Sequence, residues 1–469
     1  YLGIVDGDQD GQISNSELET LVFNTTDVYR IRQTDQAPSK MQTKGKIFYF
    51  QDSIVYDNWT VNAGIRAEEW EHIASTGQSI FTFDWEIAPR LSVVYDINGD
   101  GESKVWGFVG RYYDPIRTDM TSFAGNLTGS VRSEELFVQD RWLSFRTRGG
   151  VSTQDAFFSP TTKTPYTDEV LFGYATNLTE DTTISVVYTN RKTRDIMEDY
   201  DLSIYTEDGY MAGTDYELPY SYFGYAENPG SNYVIGTLAG GKRDYQGVEV
   251  TFRKLRTDNW SLLASYTYND AKGNSNSDGN ADLQGDWEVL DPRAPNMYGK
   301  QPGNIEHQAK VLGTYYFDNG VEIGAVYNWN SGTRYSKTFA LYGRHLPLMD
   351  DVATTDGGWE TNWVSDGVVG ADVSPSYGTL DVRVKYVHEF NDLKAEFFLD
   401  INNVLDDQAP IRIQDLASGD GTYEYGEEMN WVEPLVLYWS RNVTDLERYD
   451  HAELYRKWLI DPLNRGEEQ

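Results

Sequence analysis

Apolar and polar residues alternate one for one over long stretches of this chain. Trp59, Val61, Ala63 and Ile65 alternate with Thr60, Asn62, Gly64 and Arg66. Val248, Val250 and Phe252 alternate with Gly247, Glu249, Thr251 and Arg253, and Val321, Ile323, Ala325, Tyr327 and Trp329 with Glu322, Gly324, Asn328 and Asn330. Leu380, Val382, Val384 and Tyr386 alternate with Asp381, Arg383 and Lys385, and the same pattern runs across 260–269, with Leu263 the lapse, and through Ala395, Phe397, Leu399 and Ile401 against Glu396, Asp400 and Asn402. Successive side chains on a strand point to opposite faces, so each stretch makes a strand with one oily and one wet face.

A soluble β-sandwich would show the same alternation, and three features argue against it. The stretches run to about 9–11 residues or more, the span of a tilted strand crossing a bilayer, where sandwich strands average about 5–6. Tyr and Trp gather toward the ends of the oily faces (Trp59, Trp260, Tyr268, Tyr327 and Trp329), as an interfacial girdle requires. Connections alternate between short and long. Tight turns fall at Asp57-Asn58, Asn98-Gly99-Asp100-Gly101, Glu180-Asp181, Thr257-Asp258, Asp318-Asn319-Gly320 and Asn391-Asp392, and long loops join the other ends. This is the plan of an outer-membrane barrel, with turns in the periplasm and loops outside.

Composition agrees. There are 39 Lys and Arg against 74 Asp and Glu, a net charge of −35, which excludes a basic face for nucleic acid. No cysteine is present, which removes disulfide scaffolds, thiol nucleophiles and zinc ribbons. The 34 Tyr and 13 Trp exclude a disordered acidic chain. The mean hydropathy is −0.58 and no apolar run is long enough for a transmembrane helix.

The expected fold is therefore all-β, a transmembrane antiparallel β-barrel. Thirteen strands are expected: 45–56, 59–70, 89–96, 103–113, 165–178, 183–194, 241–254, 259–270, 304–317, 321–331, 376–390, 393–404 and 434–442. Residues 1–44 read as an extracellular loop segment, 45–442 as barrel strands and loops, and 443–469 as a charged tail. An odd count that enters from outside implies earlier strands, because an open edge in lipid leaves backbone groups unpaired.

Residues 6–17, DGDQDGQISNSE, match the twelve-residue EF-hand loop at its informative positions. Asp6, Asp8 and Asp10 would offer carboxylates, Gln12 its backbone carbonyl, Ser14 a water-mediated contact and Glu17 two oxygens. Gly11 makes the turn and Ile13 is the apolar eighth residue. The expected cofactor is Ca2+, held weakly because no paired second loop is visible. Asp96-Ile97-Asn98-Gly99-Asp100-Gly101 begins in the same way but has Gly107 at the twelfth position, and reads as a structural turn.

Catalytic signatures are lacking. The five histidines are scattered, and there is no HExxH, P-loop, GxGxxG or GxSxG. The expectation is that the chain is not an enzyme. One cluster stands out in so acidic a chain: Arg111, Tyr112, Tyr113 and Arg117 close a strand at the outer rim, and Arg146, Arg148, Arg191, Lys192 and Arg194 lie near other outer ends. Arg111, Tyr112, Tyr113, Arg117, Arg191 and Arg194 are candidates for an anionic or sugar-like ligand. Lipopolysaccharide phosphates and neighbouring loop acids compete for the same arginines.

Segments such as GIRAEEWEHIASTGQSIFTFDWEIAPRLSVVYDINGDGESKVWGFVGRYYDP, TKTPYTDEVLFGYATNL, YQGVEVTFRK, WNSGTRYS and FFLDINNVLDD resemble the barrel of TonB-dependent outer-membrane receptors, particularly the Oar-like group. The resemblance covers most of 45–405. It implies a twenty-two-stranded barrel with an N-terminal plug, and energised uptake of a ligand through contact with the inner-membrane TonB complex. Neither plug nor TonB box is visible in this sequence, and the tail departs from the family's aromatic-tipped last strand. The leading function is transport. The alternatives are a calcium-dependent adhesion or structural surface protein and, less favoured, an outer-membrane barrel enzyme. The ligand is not legible, because loop chemistry sets it and fold does not.

Overall fold

The structure, a computed structural model, describes residues 29–34, 40–114, 118–128, 131–138, 141–148, 156–207, 212–213, 217–231, 233–275, 293, 297–301, 303–336, 338–342, 361–365, 368–390 and 393–409. The calcium-like loop at 6–17, Arg117, the strand expected at 434–442 and the tail at 443–469 lie outside the described residues.

Twelve long strands stand side by side in chain order, every neighbour antiparallel. They are β1 (Gln42–Tyr56), β2 (Trp59–Ile73), β3 (Ser79–Asp96), β4 (Ser103–Tyr113), β5 (Tyr166–Thr179), β6 (Thr182–Arg194), β7 (Lys242–Lys254), β8 (Trp260–Gly273), β9 (His307–Tyr316), β10 (Val321–Asn330), β11 (Tyr377–Phe390) and β12 (Leu393–Ile401). A two-residue strand, Gly299–Lys300, adds to the loop end of β8 and brings the sheet to thirteen strands. Eleven long strands begin and end within a few residues of their expected places. β3 does not: it starts at Ser79, ten residues before the expected start. The alternation that would have revealed this is broken by register shifts opposite Glu68–Trp70 and His72–Ile73, and by Pro89. Pro89 has no amide hydrogen, and β4 pairs with β3 only from Arg90 onward, so the missing donor interrupts no ladder there.

Residues paired directly across antiparallel strands share a face. One face can thus be followed from strand to strand. Val61, Val93, Gly107, Phe172, Tyr188, Val248, Tyr268 and His307 are consecutive register partners on the oily face. Phe172 there is 56 % exposed and Tyr188 38 %, because no other described residues pack over them. The opposite face carries Asn62 bonded to Ser92, Gln308 to Asn330, and Arg383 doubly bonded to Asp400. The oily face is the outward one, and the wet face lines the interior.

Short turns close one end. Asp57 adopts φ 52° in the β1–β2 turn and Gly320 φ 84° in the β9–β10 turn, the left-handed conformations that two-residue and glycine hairpins use. In the β3–β4 turn, Asp96 accepts from the amides of Gly99 (3.0 Å) and Gly101 (2.7 Å), so its carboxylate organises the turn itself. At the β5–β6 turn, Asp181 accepts from Lys254 Nζ (2.5 Å), Thr179 and Thr182, which holds its carboxyl far below the usual carboxylate range.

The other end carries a packed layer on the inward side. Helix α1 (Thr118–Gly125) and a three-stranded sheet of 156–158, 197–201 and 233–237 cover the tops of β2 and β3. Trp70, Phe83, Met120, Ala124, Phe158 and Ile235 form its core. His72 is fully buried among them and bonds through Nδ1 to Thr121 Oγ1 at 2.7 Å. Its Nε2 has no hydrogen-bond partner among the described residues. The outward face of β2 turns from Ala67 to Glu69 and Glu71 just below this level, so His72 stands clear of the apolar band. Burial lowers its pKa to about 4. A separate three-stranded sheet joins 29–34, 131–138 and 141–148.

Candidate functional site

Midway along the strands, the inward face holds an open groove of about 420 Å³ lined by Tyr49, Asn62, Arg66, Arg90, Phe108 and Tyr112. The register places these residues together. Gly64, Arg90, Gly110, Glu169, Arg191 and Tyr245 are successive inward partners across six strands. Arg90 lies over the Tyr112 ring at 4.3 Å, and its Nε has no hydrogen-bond partner among the described residues. Arg66 bonds to Glu68 at 2.8 Å. Further along, Arg191 is bonded to Glu169 and sits 5.6 Å from the Tyr245 ring. Gly110 makes the first part of this possible. A Cβ there would lie 2.5 Å from Phe108 Cζ and 3.1 Å from Arg90 Cγ, so only glycine lets both side chains cross the strand.

The arginine–tyrosine cluster of the sequence splits between the two faces. Tyr112 and Arg191 point inward. Arg111 and Arg194 point outward, on the same face as Val109 and Tyr188. Arg111 makes a two-pronged bond to Asp168 (Nε–Oδ1 2.7 Å, Nη2–Oδ2 2.8 Å) and lies 3.9 Å from the Tyr166 ring. Arg194 bonds to Asp244 at 2.7 Å. Tyr113, the last residue of β4, packs against the loop core. Arg146 and Arg148 belong to the strand at 141–148, which pairs in a separate sheet from the wall. Arg66, Arg90 and Tyr49, which line the groove, were missed by sequence reasoning. Each occupies an ordinary wet position in an alternating strand, and only cross-strand register brings them beside Tyr112.

Another inward groove, of about 690 Å³, lies at the short-turn end, between Arg253, Leu263, Leu312, Asp381 and Arg383. Among the described residues, no group of three or more His, Asp or Glu side chains converges as a metal site.

Residues 74–322 match the family model described as "Outer membrane beta barrel domain". The chain belongs to this outer-membrane barrel family. Members sit in the outer membrane, and the oily outward face described above is the surface that location requires. The barrel is also similar to the TonB-dependent transporter Oar of Myxococcus xanthus, with 21% identity over 77% of this chain and 35% of the relative. The chain thus spans about a third of Oar's length. Among solved structures it resembles the outer membrane transporter YddB of Escherichia coli, at 12% identity and a TM-score of 0.46, covering 81% of this chain and 52% of that one. It also resembles the ferripyoverdine receptor of Pseudomonas aeruginosa, at 12% identity and a TM-score of 0.45, covering 78% and 35%.

Proposed function

We propose that this barrel is the wall of a TonB-dependent receptor that captures a ligand in its outer loops and admits it to the lumen when the inner-membrane TonB complex moves a plug. The observation that carries this reading is the inward groove on the barrel wall. Arg90, whose Nε has no hydrogen-bond partner among the described residues, lies there with its guanidinium over the Tyr112 ring, a suitable binding surface for a ligand with an anionic part. Similarity to a relative named as a TonB-dependent transporter supports it. The relative's name also favours a transporter over an enzyme.

The test is accumulation of labelled ferric siderophores, vitamins, oligosaccharides and peptides by cells making the full-length gene product, with and without TonB. Uptake of one class that disappears without TonB is expected. If no class accumulates in a TonB-dependent way and the purified full-length protein does not retain the TonB C-terminal domain, the transport reading is wrong.

The 6–17 loop is proposed to bind Ca2+ through Asp6, Asp8, Asp10, Gln12, Ser14 and Glu17, and so to order the segment outside the cell. Its support is the match of twelve consecutive residues to the loop pattern. Calcium should protect this segment of the parent protein from proteolysis, and an Asp6→Ala/Glu17→Ala variant should lose that protection. Equal cleavage with and without the ion in the parent would remove the site. A calcium-dependent adhesion role would draw on the same loop, with no structural observation favouring it over transport.

A further inference from the structure

The sheet of 29–34, 131–138 and 141–148 carries six arginines against two glutamates, in a chain of net charge −35. Its strands come from the segment before β1 and from the β4–β5 connection, so they join the wall at its long-loop end. Register partners share a face. Arg30 pairs with Glu135 and Arg32 with Ser133. On the other side of the middle strand, Ser133 pairs with Thr147, Glu135 with Ser144 and Phe137 with Trp142. All of these stand on one face.

Two guanidiniums on that face share one buried carboxylate. Arg30 Nε donates to Glu135 Oε2 at 2.6 Å, and Arg32 Nε lies 3.4 Å from Oε1. Arg30 also lies 4.1 Å over the Trp142 ring. The two arginine side chains are 42 % and 64 % exposed, and neither makes another hydrogen bond or ion pair among the described residues. Glu135 and the indole thus fix both side chains and leave their terminal amino groups for a further acceptor. A guanidinium fork matches a carboxylate in shape and charge. Two cations against one anion leave the face a single positive charge in excess.

Beside the arginines, Thr147 Oγ1 lies 3.5 Å from Ser133 Oγ and 3.3 Å from Ser144 Oγ, a linked row of hydroxyls. Phe137 is exposed and tilted against Trp142, with ring centres 5.2 Å apart. An exposed ring is an apolar platform, and a row of hydroxyls both donates and accepts.

We propose that this face binds a carboxylated sugar, one unit of a uronate polymer outside the cell. Its carboxylate lies on the terminal nitrogens of Arg30 and Arg32, its hydroxyls on Ser133, Ser144 and Thr147, and the C–H face of its ring on Phe137. Charge complementarity selects a singly charged acid. A phosphate dianion would bring surplus negative charge into the field of an acidic chain. The inference rests on this sheet and not on transport, so it stands or falls separately from the uptake experiment.

The test is calorimetric titration of the detergent-solubilised full-length protein with oligogalacturonate, beside its methyl ester and an inorganic polyphosphate of similar length. The free acid should bind more tightly than either. Arg30→Lys/Arg32→Lys keeps a cation beside Glu135 but removes both forks, and should weaken binding of the free acid about tenfold or more. Lys310→Gln, on the inward face of the wall, should change nothing. Circular dichroism confirms that each variant is folded. The proposal is overturned if the methyl ester or the polyphosphate binds as tightly as the free acid, if wild-type protein binds none of them, or if the folded double variant binds as wild type does. Should the double variant not fold, the comparison of the three oligomers on wild-type protein decides alone.

Discussion

Arg111 and Tyr112 are neighbours in the chain, yet β4 sends them to opposite faces of the wall. Arg111 is locked to Asp168 on the lipid side, and Tyr112 lies under the Arg90 guanidinium on the interior side. A cluster that looks like one site in sequence is therefore two surfaces, one facing the membrane and one facing the barrel interior.

The two surfaces should separate in function. On the proposed transport role, Arg90→Ala and Tyr112→Ala are expected to weaken uptake of an anionic ligand severalfold, the scale of a cation–π contact of about 0.5–2 kcal/mol. Arg111→Ala should leave uptake unchanged and lower stability by less than about 1 kcal/mol, because its ion pair is a third to a half exposed. Uptake kinetics and thermal unfolding in detergent distinguish the two outcomes.

His72 should make the loop layer acid-sensitive. Its folded pKa of about 4 lies below the unfolded value of about 6.5, so the unfolded state binds more protons between these limits. Stability from this residue is complete above about pH 6.5 and is lost as pH falls toward 4, by up to roughly 3 kcal/mol. Hydrogen exchange of α1 should quicken over that window. His72→Gln should flatten the dependence, and an unchanged profile in that variant would assign it to another group.

Gly173 pairs with Trp106 on the inward face, and a Cβ on Gly173 would overlap the indole. Gly173→Ala should cost about 1–3 kcal/mol through overpacking. Adding Trp106→Leu should recover part of that loss. Urea unfolding of the single and double variants measures the coupling.

Tyr298 donates to Asp244 Oδ2 at 2.7 Å, and burial together with that carboxylate pushes its pKa up to about 12. Its raised pKa contributes stability that is complete below about pH 10 and is lost as pH climbs from 10 to 12. Tyr298→Phe should abolish this alkaline loss and, at neutral pH, cost about 1–2 kcal/mol for the hydrogen bond to a charged group. Ultraviolet titration of the tyrosinates, wild type against variant, checks the assignment.

Much of the wall was legible without coordinates. Alternation placed eleven of the long strands closely, because a strand with one face in lipid and one in water must repeat every two residues. β3 was legible only in part. Above Arg90 it carries register shifts and a proline, and its inward residues Phe81 and Phe83 pack under a loop layer instead of facing water, so the two-residue code lapses. The layer itself left little periodic signal. Its strands are three to five residues long, and its core draws on Trp70, Met120, Phe158 and Ile235 from segments far apart in the chain.

By itself, then, the sequence determined the strands, the face each residue takes relative to its chain neighbours, and the membrane that the oily face demands. Those are local properties of a pleated backbone in two solvents. Only the tertiary structure decided which residues stand side by side: Arg90 over Tyr112, Glu169 against Arg191, and Lys192 in line with Asp168 and Asp244. Register across strands is set by pairing along the whole ladder and by the turns that start it, and nothing within a single strand records it.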